Sequence, residues 1–106
     1  MPVETRSLSE RRANDPEYQD LKRRLIAEWR GESVEGDGPS ILEETNAKGR
    51  VVHVIVTWDA WAAFDGLVRS EMIVDAFQAV RGEPAVVDLS LAMGLTRAEA
   101  ARQRVG

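Results

Sequence analysis

The sequence predicts an α+β fold in which helices cover one face of a three-stranded mixed sheet. The main observation is a segment rich in β-branched residues, Arg50–Trp58, which is typical of a central strand. Helical patterns precede and follow it, and a second alternating segment, Val86–Leu91, comes later. The predicted order is helix, strand, strand, helix, strand, helix. These elements form a single domain at residues 15–106, which follows a flexible arm at residues 1–14.

The first helix has a clear start and a regular apolar stripe. Asp15 is a suitable N-cap, and Pro16 fits the first helical position, where no amide donor is needed. Apolar residues then recur at helical spacing: Tyr18, Leu21, Leu25 and Trp29. Gly31 supplies a left-handed stop, so we expect a loop at Glu32–Pro39.

A β-hairpin is predicted after this loop. Ser40–Thr45 is the expected first strand, and Asn46–Gly49 is a tight connection, because Asn and Gly tolerate positive φ. In the second strand we place the more apolar alternate residues against the helices: Val52, Val54, Val56 and Trp58. The other alternate residues face away: Val51, His53, Ile55 and Thr57.

A second long helix and a third strand are expected next. Asp59–Gly66 is interpreted as a turn region, and a helix is predicted over Leu67–Arg81, ended by Gly82. Pro84 is expected to open the third strand, which runs to Leu91. Because a helical crossover precedes this strand, it should run parallel to one of the hairpin strands.

A capping box predicts the last helix. Thr96 and Glu99 are spaced so that each side chain reaches the backbone amide of the other residue. We therefore expect a short helix over Arg97–Arg104.

Composition and charge restrict the functional classes. The chain has 106 residues, 43% hydrophobic and 30% charged, which is enough for one modest core. Its formal net charge of -4 argues against a generic nucleic-acid binder, since such proteins are usually basic. The absence of cysteine excludes disulfides and thiolate ligands. The sequence has no apolar run of membrane-spanning length and no signal-peptide core, so we expect a cytoplasmic location.

The order of these elements resembles the BolA-like proteins, whose fold is related to the type II KH domain. The resemblance covers roughly Tyr18–Ala100. Three segments carry it: Trp58–Gly66, Arg69–Val74, and Leu89–Leu91 with Thr96–Glu99. They are similar to the family's strand running into a Phe-x-Gly turn, to the Arg-His-Arg start of its main helix, and to its last strand with a Thr-Pro-Glu-Glu cap. An unrelated family with the same topology is the alternative.

The resemblance also implies what this chain lacks. Family members that hold an iron–sulfur cluster with a glutaredoxin use the histidine of Arg-His-Arg, and Ser70 stands at that position. The family's second ligand, His or Cys, lies in the loop between the first two strands. Here that loop, Glu44–Arg50, has neither. The resemblance therefore implies a BolA-like shape without cluster ligation, and we expect no cofactor.

Four residues are candidates for binding a protein partner: Trp61, Arg69, His53 and Asp59. Tryptophan is enriched at binding hot spots, and we expect Trp61 to be more exposed than Trp58, which continues a buried strand face. The alternative is that both tryptophans close one end of the core.

His53 is the only histidine and lies on the outward strand face. It is a candidate to contact a partner or to pair with Asp88, and an ordinary sheet-face role is the alternative. A single histidine without neighbouring ligands is a poor metal site, so no metal is expected.

These observations favour a small non-enzymatic protein-interaction module that uses its open sheet face or the Trp61–Arg69 region. The first alternative is a KH-like nucleic-acid accessory domain, in which Arg69 and Lys22–Arg24 form a basic patch. Against it, Gly66–Arg69 lacks the second glycine of a Gly-x-x-Gly loop. The second alternative is a small enzyme with a pocket around His53 or the acids. Homodimerisation through a sheet edge or Trp61 is compatible with each, and no membrane partner is expected.

Overall fold

A computed structural model of the protein describes residues 15–32 and 38–104. The predicted arm at residues 1–14 and residues 33–37 of the predicted loop lie outside the described residues. The α+β fold class and its element order are confirmed. The elements are α1 (Pro16–Trp29), β1 (Ser40–Thr45), β2 (Val51–Thr57), a 3₁₀ helix (Asp59–Ala63), α2 (Gly66–Arg81), α3 (Glu83–Val87), β3 (Leu91–Leu95) and α4 (Arg97–Arg104).

The three strands form one mixed sheet with β2 in the centre. β1 pairs antiparallel to β2, and Leu42 lies opposite Ile55. β3 pairs parallel to β2, and Ile55 lies opposite Met93. The parallel crossover predicted from the intervening helix is therefore confirmed. The hairpin turn is held by Asn46, whose Oδ1 accepts hydrogen bonds from the Lys48 and Arg50 amides at 2.9 and 3.1 Å.

The core lies between the sheet and the helices α1 and α2. Val54, Val56 and Trp58 are buried, as their alternation in the sequence predicts, and Val52 is half-buried. Helix α1 contributes its predicted stripe, although Trp29 is only half-buried and packs at 5.6 Å, centroid to centroid, against Phe77. The periodicity of the chain thus identifies the covered face correctly from Val54 to Trp58. Val51, predicted to face away, packs against the core cluster instead, because the strand register shifts between Glu44 and Thr45.

The third strand is the main correction to the predicted fold. Pro84 does not open a strand, because it lies in the first turn of α3, where a missing amide donor costs nothing. Gly82, with φ of 90°, ends α2 and precedes α3 directly. The valines that suggested a strand belong to this short helix, and Val87 is 83% exposed. The strand itself begins at Leu91, where the predicted one ends.

Both predicted helix caps are present. Asp15 Oδ1 accepts a hydrogen bond from the Glu17 amide at 3.0 Å. At the start of α4, the Glu99 amide donates to Thr96 Oγ1 at 3.2 Å, and the Thr96 amide donates to Glu99 Oε1 at 2.8 Å. Among the helices of residues 15–32 and 38–104, none has the length and apolar character that crossing a membrane requires.

Candidate functional site

Arg69 is a structural residue in the core of the fold. It lies in the first turn of α2 and is 8% exposed. Its Nε donates to the carbonyl oxygens of Trp61 and Phe64 at 3.1 and 2.8 Å. Its Nη1 donates to Gly94 O at 3.2 Å and to Glu99 Oε1 at 2.7 Å. The guanidinium therefore joins the 3₁₀ helix, α2, β3 and α4, and it has no surface to offer a partner.

Trp61 is fully buried, so the prediction that it is more exposed than Trp58 is wrong. Its indole Nε1 donates to the Val56 carbonyl at 3.1 Å, and its ring packs edge-on to Trp58 at 5.3 Å. Both tryptophans close one end of the core, which is the alternative that the sequence left open. Gly94 lies against this indole, because an added Cβ would approach Trp61 Nε1 to 2.9 Å.

The same part of α2 closes the outer edge of β3. The Leu95 carbonyl accepts from the Trp58 amide, so the carbonyls of Ala92 and Gly94 point away from β2. Ser70 Oγ donates to Ala92 O at 2.7 Å, next to the contact between Arg69 and Gly94 O. Ser70 thus has a structural hydrogen bond.

Glu99 is half-buried and forms the anionic end of this cluster, where its pKa is lowered. The hydrogen bond from the Thr96 amide, followed by the hydrogen bond from Arg69, lowers the pKa of Glu99 below its ordinary value of 4.5. Both contacts favour the ionised carboxylate. The capping box of α4 is therefore also the anionic partner of the buried guanidinium.

This lowered pKa predicts a pH-dependent contribution to stability. The contribution is fully present above the ordinary glutamate pKa of 4.5 and is lost as the pH falls through the lower folded value. Glu99→Gln keeps both capping contacts but removes the charge, so wild type should be more stable than the variant at neutral pH. Urea unfolding from about pH 7 to about pH 3 should show the difference closing in acid. A difference that is the same at every pH would contradict the assignment.

His53 is half-buried and Asp59 is exposed, and both already have partners. The His53 ring pairs through Nδ1 with Glu44 Oε1 at 3.0 Å, not with Asp88. Asp59 accepts a hydrogen bond at 3.0 Å from the amide of Arg97, the first residue of α4. The structure therefore brings Trp61 and Arg69 into contact inside the fold. His53 lies apart from them, on the uncovered face of the sheet.

That uncovered face is the candidate functional surface, and we call it the open face. Strand pairing places three residues from each strand on it: Ser40, Leu42, Glu44, His53, Ile55, Thr57, Leu91, Met93 and Leu95. The central row across the three strands, Leu42, Ile55 and Met93, is entirely apolar. So is the whole β3 column, whereas the β1 column is polar at both ends.

The apolar members of the open face lie outside the core. Ile41 and Ala92, which project from the covered side of the edge strands, pack against the core cluster. Within the described residues, no apolar member of the open face does so, and Leu42 is 54% exposed. The prediction missed the β3 column because it placed the strand too early. The alternation of Leu91, Met93 and Leu95 in the sequence could have identified this apolar column.

A second surface feature is a cleft of about 520 Å³ between the hairpin turn and the end of α2. Val51, Phe77 and Pro84 contribute apolar wall, and Arg50 and Arg81 line it too. Each arginine is paired with a carboxylate. Arg81 donates to Glu43 at 2.9 Å, and Arg50 donates to Asp88 at 3.4 Å. The charges beside the cleft are therefore largely compensated.

Metal binding finds no support in the part of the chain that the structure describes. It contains no group of three or more His, Asp or Glu side chains placed to hold a metal ion. A smaller depression of about 230 Å³ is lined by Ser70, Glu71, Val74 and Asp75. Neither this depression nor the cleft includes His53.

No protein-family model matches the chain, and no curated protein or solved structure matches it. The BolA-like resemblance consequently stays a prediction from three short motifs. Any functional conclusion has to come from the geometry of the open face and the cleft.

Proposed function

We propose that this protein is a small non-enzymatic protein-interaction module of BolA-like topology, without iron–sulfur ligation, that binds a partner through the open face. One observation carries the proposal. Five apolar side chains, from Leu42, Ile55, Leu91, Met93 and Leu95, share one face of the sheet and lie outside the core. Leu42 is exposed and the other four are half-buried, so together they form a contiguous, partly exposed apolar surface. Such a surface on a small domain is typical of an interaction site.

The other exposed apolar residues are isolated. Leu67 lies at the start of α2 and Val87 at the end of α3, and neither is part of a strand face. Single exposed apolar side chains are normal on folded proteins and need no functional explanation. The open face differs because its apolar residues are neighbours in the strand register.

The proposed lack of cluster ligation is supported by the residues at the two relevant places. Ser70 donates its hydroxyl to Ala92 O and so has a structural contact. The connection between β1 and β2 is short and contains no histidine or cysteine. A protein-binding role through side chains of the sheet requires neither ligand.

Leu42→Glu tests the proposal. The charge should abolish retention of a protein partner from source-cell lysate, because it places a carboxylate in the apolar central row of the open face. Since Leu42 is half exposed, the free energy of unfolding should change by no more than about 0.5 kcal/mol. Affinity capture with chemical crosslinking reads out the partner, and circular dichroism checks the fold.

Val87→Glu is the matched control, since it adds the same charge at an exposed apolar residue away from the open face. A partner retained by wild type and Val87→Glu, but not by Leu42→Glu, would support the proposal. Equal retention by all three proteins would remove the open face as the binding site.

The nucleic-acid alternative would have to use the cleft that Arg50 and Arg81 line, where both arginines are already paired with carboxylates. The basic patch expected from Arg69 and Lys22–Arg24 does not support nucleic-acid binding. Arg69 is buried, and Arg23 pairs with Asp20 at 2.6 Å. If this alternative holds, single-stranded RNA should bind at low salt and be released at high salt. The double variant Arg50→Ala, Arg81→Ala should then lose that binding, while Leu42→Glu keeps it.

A further inference from the structure

The kind of partner that fits the open face can be inferred from its size, its chemistry and its charge. This inference rests on the proposed function, since it assumes that the open face binds a protein. Its nine residues form three rows and three columns. With strands about 4.8 Å apart and about 6.6 Å between alternate residues, the face measures roughly 15 Å by 18 Å.

This size argues against a second copy of the chain as the occupant. The open face offers roughly 270 Å², estimated from strand spacing. Stable protein–protein interfaces bury about 800 Å² on each partner. Two open faces packed together would therefore fall far short of that area. A single helix of about 12 residues is about 18 Å long and 10 Å wide, which matches the face.

The chemistry of the face favours a helix over an extended segment. The face presents side chains only, because the backbone groups of β2 are engaged in the strand pairings on both sides. A segment that leaves water to lie on these side chains must satisfy its own amides and carbonyls. A helix does so internally, whereas a single extended strand does not.

The charge of the face adds one further requirement. Glu44 is its only acidic residue and is half exposed in its pair with His53. It lies in the β1 column, one row away from the apolar Leu42. A partner that covers Leu42 approaches this carboxylate, so a basic residue is favoured there and an acidic residue is disfavoured.

We propose that the open face binds one amphipathic helix of another protein, about three turns long, with a basic residue at the end that lies over Glu44. The apolar stripe of this helix contacts Ile55, Met93 and the β3 column, and Leu42 flanks it. The bound helix would give the sheet a helical layer on its second face.

Three synthetic peptides of about 14 residues provide the probes for the test. The first has leucines on one helical face and lysines at both ends, and the second replaces the lysines with glutamates. The third has the composition of the first but scatters the leucines around the helix. Each is titrated into the isotope-labelled full chain, and NMR amide shifts give the affinity and the site of binding.

We expect the lysine peptide to bind with shift changes centred on Leu42, Ile55 and Met93, and the scattered peptide not to bind. The glutamate peptide should bind several-fold more weakly, and Glu44→Gln should reduce that difference. Leu42→Glu should weaken the lysine peptide about tenfold or more, whereas Leu67→Glu, at an exposed residue off the face, should not.

Several results would overturn the inference. These are no binding of the lysine peptide, equal binding of the scattered peptide, or shift changes away from the open face. A stable dimer of the free chain in light scattering that Leu42→Glu dissociates would assign the face to a second copy. If the lysate partner crosslinks to the open face through a loop or strand, the proposed function stands and the helix inference fails. If no partner is retained and no peptide binds, both fail.

Discussion

Arg69→Ala is expected to lower the free energy of unfolding by about 3–5 kcal/mol, which for a domain of this size corresponds to a fall in melting temperature on the order of 15 °C or more. The reason is the number of groups left without a partner. The carbonyls of Trp61, Phe64 and Gly94 lose their donor, and Glu99 loses its cation. Leaving buried polar groups without hydrogen-bond partners is among the most destabilising changes that a substitution can make.

Urea unfolding followed by circular dichroism measures this loss, and two variants make it interpretable. Arg23→Ala removes an ion pair whose arginine is 76% exposed, so its cost should be within about 0.5 kcal/mol. Arg69→Lys keeps the charge but has a single nitrogen, which cannot reach all four acceptors, so an intermediate loss is expected. A loss below about 1 kcal/mol for Arg69→Ala would show that water or neighbouring donors replace the guanidinium.

Gly94→Ala is expected to cost about 2–3 kcal/mol through steric overlap. An added Cβ would lie 2.8 Å from Arg69 Cβ and 3.0 Å from Trp61 Cε2. Neither neighbour is free to move, because the indole donates to Val56 O and the guanidinium is held by four acceptors. A single methyl group therefore forces a shift of β3 or of the tryptophan.

Gly66→Ala is the matched control, since no atom lies within 4 Å of its added Cβ and it begins α2. We expect a neutral effect or a gain of a few tenths of a kcal/mol. Near-ultraviolet circular dichroism should detect the displaced tryptophan in Gly94→Ala only. Equal stability of the two variants would mean that the contact between β3 and Trp61 relaxes freely.

The sequence predicts most of the fold because its periodicity and its caps agree. The alternation in β2 identifies the covered face, and the Thr96–Glu99 spacing identifies the start of α4. β3 was placed too early for a physical reason. Its core-facing residues, Ala92 and Gly94, have low strand propensity. Residue 94 has to be small because Arg69 and Trp61 lie against it. That requirement comes from tertiary packing, which a local pattern does not contain.

The burial of Arg69 could have been predicted from its position on the apolar stripe of α2. Arg69 lies three and four residues before Met72 and Ile73, so it shares their buried stripe. An arginine on an apolar stripe needs acceptors, which predicts a structural hub. The identity of those acceptors depends on loops and strands distant in sequence. The burial of Trp61 likewise depends on its distant packing partner, Gly94.

The closed edge of β3 also limits how copies of this protein can aggregate. A β-fibre grows only if each subunit has two free strand edges, one for each neighbour. On β3, the side chains of Arg69 and Ser70 occupy the carbonyls that an incoming strand would use. The sheet has two outer edges, on β1 and on β3, and within the described residues only the β1 edge has no side-chain hydrogen bond to its outward carbonyls. Edge-to-edge association of the folded protein therefore ends at a pair, so fibril growth would require α2 to detach from β3 first.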